Sequence, residues 1–351
     1  MKSMHATNLI GLIALAAPAS ALAQTPAAAL TRFRAVVLET AGYPAMAGNE
    51  EALVINELGE TAGRVFVGDS AHAARWSADG ELTVIGTTGG CMFSSARGIN
   101  DQGVVVGVSV SGPPDNAFQW SPGGGTVQLP LPSKWYPEEI DATGTIAFTA
   151  ILPLSQALGA RWNPGWGVQR IVLPGAQVQV RGQNGAGAVT GIATSGSSVT
   201  HAFRWSAETG LVDLGAPPGF TLSQGYGIND QGVVVGLSGS ASFDQATIWD
   251  GGLGPALLPF ARPVSTQGAA YSINNHGWIV GSEYQVPSSY HRPYAVLWVD
   301  GVAHDLTGLL VQPPGDPYIH VSIAWDINDQ GQIAARGIVG GVERALRLDP
   351  Q

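Results

Sequence analysis

Three things are scarce in this chain of 351 residues: cysteine, lysine and charge in general. There is one cysteine, Cys91, so no intramolecular disulfide can form. Lysine occurs only at Lys2 and Lys134, charged residues make up 12% of the chain, and the net charge is −10. An acidic chain with so few lysines lacks the cationic footprint that nucleic acid or anionic lipid demands, so neither is an expected partner. Long apolar runs are also missing. After the first residues none reaches the roughly 18–20 needed to span a bilayer, and no integral membrane segment is expected. Enzymatic signatures are absent too: no Gly-x-Ser-x-Gly elbow, phosphate loop, Cys-x-x-Cys or His-Glu-x-x-His is present.

What the chain has in abundance is glycine, 48 residues of it, together with β-branched residues. That composition reads as strands and turns. Residues 1–23 read as an export leader: Lys2 at the charged end, the apolar run 9–17, and Ala21-Leu22-Ala23 as a small-x-small cleavage site. The mature chain, 24–351, is then expected in the periplasm, at the cell surface or outside the cell.

The organising pattern is the stretch Gly227-Ile228-Asn229-Asp230-Gln231-Gly232-Val233-Val234-Val235-Gly236, nearly repeated from Gly98 to Gly107. Degenerate copies place Asn, or Asp in one case, at 56, 100, 141, 184, 229, 274 and 328, at intervals of 41 to 54 residues. A fixed period of this size marks a repeat architecture. Each copy reads as a hairpin in which Asn and Asp start the turn and Gly supplies the positive φ that closes it. A second hairpin follows, clearest at His201-Ala202-Phe203-Arg204-Trp205, with Trp recurring at 76, 120, 162, 205, 249 and 298 as an expected core row.

Four strands per unit and seven units predict an all-β, seven-bladed β-propeller. The blades are expected at about 52–86, 96–130, 137–174, 180–215, 225–260, 270–311 and 323–349. The last unit lacks a fourth strand, and the spare strand at 32–40 is expected to complete it, closing the ring and removing its edges.

The His-Ala-Phe…Trp strand with the Ile-Asn…Gly…Val-Val-Gly hairpin resembles the bacterial HAF-type extracellular repeat. The resemblance covers nearly all of the mature chain and is sharpest over 200–238. It weakens in the third unit, where Asp141 replaces Asn and Ala160-Arg161-Trp162 replaces the Phe-containing strand. It implies a secreted or surface repeat protein and brings no catalytic residues.

Recognition is expected on the face that carries the longer, variable loops. The loop 283–293 and the linker 311–320 offer Tyr284, Tyr290, His291, Arg292, Tyr318 and His320. The linker 132–137 adds Trp135 and Tyr136. Aromatic and Arg side chains suit a glycan or protein ligand; the plain alternative is that they pack over their own blades. No metal or cofactor is expected. Asp326-Ile327-Asn328-Asp329-Gln330-Gly331 opens like a calcium loop but lacks the closing Glu. Cys91 is read as a half-buried structural residue, the alternative being a reactive thiol. The adjacent acids Glu138 and Glu139 would point to opposite faces of a regular strand. The expectation is a monomeric, non-catalytic binding or scaffold module. A hydrolase or lyase using the axial pocket and a structural envelope protein are the alternatives.

Overall fold

The computed structural model describes residues 31–38, 51–110, 115–152, 156–196, 199–240, 243–252, 254–286 and 292–351. The leader at 1–23 and two of the candidate residues, Tyr290 and His291, lie outside them.

Seven four-stranded antiparallel sheets form the ring of a β-propeller. Their strands run in sequence order from the axis outwards. The innermost strands are Glu51–Ile55, Phe93–Ile99, Trp135–Ile140, Ala176–Gln183, Leu222–Ile228, Gln267–Ile273 and Ile319–Ile327, in blades 1 to 7. The last blade contributes only three strands in line. Phe33–Val37 completes it, pairing antiparallel with Val342–Pro350 in the register Ala35 opposite Leu348. Phe33, the first residue of that closing strand, is fully buried.

The apolar residues meet between blades, which is how a chain of this length forms a core without one large centre. Val106 and Ala117 of blade 2 pack with Trp135, Ile146 and Phe148 of blade 3. Val65, Ala74 and Trp76 of blade 1 pack with Ala334 and Ala345 of blade 7. Of the tryptophan row, Trp76, Trp205, Trp249 and Trp298 are buried, while Trp120 and Trp162 are partly exposed. Two indoles tie a blade to the loop before it: Trp249 Nε1 donates to Gly215 O at 3.3 Å and Trp298 Nε1 to Pro259 O at 2.7 Å. Cys91 is buried and accepts a long contact from Asn116 Nδ2 at 3.7 Å.

The repeat asparagine does two jobs. Its Oδ1 accepts backbone N–H groups of its own turn, as in Val233 N to Asn229 Oδ1 at 3.0 Å. Its Nδ2 donates to the backbone carbonyl of the matching residue in the next blade. Asn56 donates to Asn100 O, Asn100 to Asp141 O, Asn184 to Asn229 O, Asn229 to Asn274 O, Asn274 to Asn328 O and Asn328 to Asn56 O, at 2.7–3.2 Å. These bonds run around the axis and link the last blade to the first. The exception is Asp141. A carboxylate has no N–H to pass on, and the polarity of that joint reverses: Gln183 Nε2 of blade 4 donates to Asp141 Oδ2 at 3.2 Å, and Arg161 lies 3.7 Å from the same oxygen. The turn itself needs its glycine. Gly232 has φ 77°, and Gly232→Val is expected to cost about 1–2 kcal/mol, read as a lowered melting temperature.

The third unit departs from the repeat for a packing reason. In blades 2 and 4 a glycine on the second strand faces a phenylalanine on the third: Gly107 opposite Phe118 and Gly191 opposite Phe203. In blade 3 the pair is exchanged, Phe148 opposite Ala160. The ring now comes from the neighbouring strand, and Phe148 is fully buried.

Candidate functional site

Every innermost strand carries a register shift at the same place. The shifts fall between Ala52 and Val54, Ala96 and Gly98, Pro137 and Glu139, Val180 and Gly182, Gly225 and Gly227, Ala270 and Ser272, and Ala324 and Asp326. The residue skipped by the pairing is always the one three before the turn residue: Leu53, Arg97, Glu138, Arg181, Tyr226, Tyr271 and Trp325. A β-bulge leaves its extra residue unpaired and re-aims the side chain. Here it delivers one side chain per blade to the axis, and all seven line a single cavity of about 700 Å³.

In blades 2, 4, 5 and 6 the bulge lies against the glycine of Val-Val-Gly in the second strand. A Cβ added at Gly107, Gly191, Gly236 or Gly281 would lie 1.9–2.2 Å from a carbonyl oxygen of the innermost strand, that of Ser95, Gln179, Gln224 or Ala269. The glycine preceding the repeat isoleucine meets the opposite neighbour. A Cβ at Gly98 would sit 3.0 Å from the Cα of Glu139, and one at Gly227 would sit 2.9 Å from the Cα of Ser272. Glycine at one or both of these places lets the strands of blades 2, 4, 5 and 6 approach closely, while blade 3 carries Phe148 and Glu139 and blade 7 carries Ala335 and Asp326 there and keeps the same bulge.

The ring is divided by chemistry. Blades 5, 6 and 7 supply a continuous aromatic arc: the rings of Tyr226 and Tyr271 are 5.8 Å apart, and those of Tyr271 and Trp325 are 5.0 Å apart. Tyr226 Oη donates to Gln224 Oε1 at 2.8 Å, and Tyr271 Oη lies 3.2 Å from Ser282 Oγ. Burial pushes the Tyr226 hydroxyl up to about 12, with Tyr271 beside it adding to the shift. Blades 2, 3 and 4 supply Arg97, Glu138 and Arg181. Burial raises the Glu138 carboxyl, while Arg97, Arg181 and a hydrogen bond with Thr149 oppose that rise. Arg181 also donates to Gln179 Oε1 at 3.3 Å.

One position further along, Glu139 and Asp326 also border the cavity. Glu139 is held well above the usual carboxylate range by burial, with Asp326 and Glu138 adding. Asp326 is raised by burial as well, yet both its oxygens accept from protein donors. Ser272 Oγ donates at 2.7 Å, Ile55 N at 2.9 Å and Ile327 N at 2.9 Å, so Asp326 joins blades 6, 7 and 1. Beyond these, Ile55, Ile99, Ile140, Gln183, Ile228, Ile273 and Ile327 form a collar. All seven line a second cavity of about 310 Å³ at the turn-side mouth, and five of them also line the larger one.

The loop-side candidates are placed differently. Trp135 is buried with its ring 6.1 Å from Phe148, inside the blade 3 core. Tyr136 donates to Asp115 Oδ2 at 2.7 Å. His320 sits where the two long loops meet: its Nε2 lies 3.1 Å from Pro293 O and its ring packs edge-on to Tyr294 at 5.0 Å. Tyr284 is partly buried, Arg292 is exposed, and Tyr318 is 66% exposed. None of these residues lines the axial cavity. Glu138 and Glu139, which a regular strand would separate, both reach it because the bulge breaks the alternation. The sequence carried a signal for this ring. Within the most regular stretch of the repeat, the column three before the Asn runs Leu, Arg, Glu, Arg, Tyr, Tyr, Trp.

No protein-family model and no curated protein matches the chain. Solved structures do match it. Virginiamycin B lyase from Staphylococcus aureus superposes with a TM-score of 0.55 at 10% identity, over 91% of this chain and 99% of its own. AofleA from Arthrobotrys oligospora gives 0.46 at 11% identity, over 78% and 90%. TolB from Acinetobacter baumannii gives 0.45 at 15% identity over 56% of this chain, which spans about half, 51%, of that one. At these identities the likeness is one of fold. Among the described residues no helix is long and apolar enough to cross a membrane.

Proposed function

We propose that the protein is a glycan-binding propeller whose ligand enters the axial cavity, and that it is exported as a member of the HAF-type extracellular repeat family. The observation that carries the binding role is the aromatic arc Tyr226–Tyr271–Trp325 facing Arg97, Glu138 and Arg181 across one cavity. A sugar ring has apolar C–H faces and a polar edge. Flat aromatic rings accept the first, and guanidinium and carboxylate groups bond the second. A volume of about 700 Å³ falls within the range of small-ligand sites. The aromatics also lie on rigid innermost strands, whose ordering cost is met on folding and not on binding.

The test is a glycan panel followed by titration calorimetry on the mature chain. Tyr271→Ala removes the middle of the arc and is expected to weaken any bound saccharide by at least about ten-fold. Unchanged affinity in that variant would remove the cavity from the reading. One observation favours an enzymatic use of the same cavity: burial, with Asp326 and Glu138 adding, raises the Glu139 carboxyl well above the usual carboxylate range, the direction in which a general acid is tuned. Release of new reducing ends from a bound saccharide, lost in Glu139→Gln, would move the assignment from binding to hydrolysis.

A further inference from the structure

The charged arc says more about the ligand than the aromatic one does. At the level of the bulge ring there are two guanidiniums, Arg97 and Arg181, and one carboxylate, Glu138, between them in blade order. The remaining acids that border the cavity are placed elsewhere. Asp326 is taken up by Ser272 and two backbone N–H groups between blades. Glu139 lies one position beyond the bulge ring, at the close approach to Gly98, its carboxyl raised by burial. Glu57 belongs to the turn-side mouth beyond the collar and borders both cavities. Glu138 is itself drawn towards the neutral form by burial. The cation excess is therefore local, inside a chain whose net charge is −10. An acidic protein that places two arginines on one arc of its axial cavity is selecting against its own overall field.

Resting on the glycan reading of this cavity, we infer that its ligand is a saccharide bearing a carboxylate, a hexuronate, whose acid lies on Arg97 and Arg181 while its pyranose faces lie on Tyr226, Tyr271 and Trp325. The planar guanidinium fork matches a carboxylate with two parallel N–H donors, a geometry that a hydroxymethyl group cannot use. A neutral hexose of the same shape would fill the aromatic side and leave both arginines facing water or a desolvated hydroxyl.

Calorimetry on the mature chain with three disaccharide pairs tests this. The acidic members are α-1,4-digalacturonate, β-1,4-diglucuronate and β-1,4-dimannuronate, each set against the neutral disaccharide of the same linkage. At least one acidic member is expected to bind about ten-fold or more tightly than its neutral partner, the worth of one charge-assisted hydrogen bond. Added salt should weaken the acidic member alone. Arg181→Met should lower acidic affinity by about ten-fold and lower neutral affinity far less; Tyr271→Ala should weaken both. Arg181 is exposed on the cavity wall, so its variant is expected to melt like the parent. Equal binding of acidic and neutral partners, unmoved by Arg181→Met, would overturn the hexuronate inference and leave the glycan reading in place. Failure of all six disaccharides to bind would overturn both.

Discussion

Gly236→Ala is expected to destabilise the protein by about 3 kcal/mol, the upper part of the range for overpacking a core. A domain of this size then melts roughly 4–5 °C lower. The cause is specific. A Cβ at this position would stand 1.9 Å from the carbonyl oxygen of Gln224 and 3.1 Å from the Cα of Gly225. Both are backbone atoms of the innermost strand, so no side chain can swing aside. Relief requires the innermost strand of blade 5 to move away from the second, which displaces Tyr226 at the axis; blade 7, with Ala335 at the equivalent place, shows that the bulge itself can be kept at a wider approach. The variant should therefore lose ligand affinity in step with stability. Gly252→Ala is the control: it has open space around it and no positive φ, and should melt within about 0.5 kcal/mol of the parent. If both variants melt alike, the close approach at Gly236 does not govern the fold.

The second large effect is at the ring of asparagines. Asn229→Asp keeps the shape and keeps an oxygen for the Val233 N–H, but it replaces the Nδ2 that donates to Asn274 O with an oxygen that faces an oxygen. The site is buried, at 5% exposure. Burying an acceptor against an acceptor, with charge added, is expected to cost about 2–4 kcal/mol. The native chain shows how such a change is accommodated. At Asp141 the next blade carries Gln183 where other blades carry isoleucine, and the Gln183 amide supplies the missing donor. The place equivalent to Gln183 in blade 6 is Ile273. Adding Ile273→Gln to Asn229→Asp should recover about 1 kcal/mol or more relative to the sum of the single changes. The cost of Asn229→Asp should also shrink as the pH falls, because a protonated Asp regains an O–H donor for the Asn274 carbonyl. A cycle with no coupling would mean that the asparagines act only within their own turns.

The seven-bladed ring and its closure were legible because they depend on period and count. The spacing of the Asn turns, the missing last strand and the spare N-terminal one are all properties of the linear chain. The axial site was not legible, because strand alternation was applied where the strand is bulged. That rule separates Glu138 from Glu139 and gives no reason to single out Arg97, Tyr226 or Trp325. The clue was in the second strand. The glycine of Val-Val-Gly recurs at a position where a β-branched residue would otherwise favour the sheet, and a recurring Gly inside a strand marks a close backbone approach. The asparagine was half read: its turn-forming Oδ1 follows from local chemistry, whereas its Nδ2 bond spans blades more than forty residues apart and needs the closed ring. The third unit looked degenerate because its Phe had moved to the neighbouring strand, an exchange visible only once Phe148 and Ala160 are paired.

The most direct test of the account is a calorimetric titration of the tightest-binding disaccharide into the parent, Trp325→Ala, Tyr226→Ala and Tyr318→Ala. The two axial variants are expected to lose about ten-fold or more in affinity, because their side chains form the wall on which the sugar lies. Parent-like binding by both axial variants, with binding lost in Tyr318→Ala on the exposed linker, would contradict it and move the site from the axis to the loops.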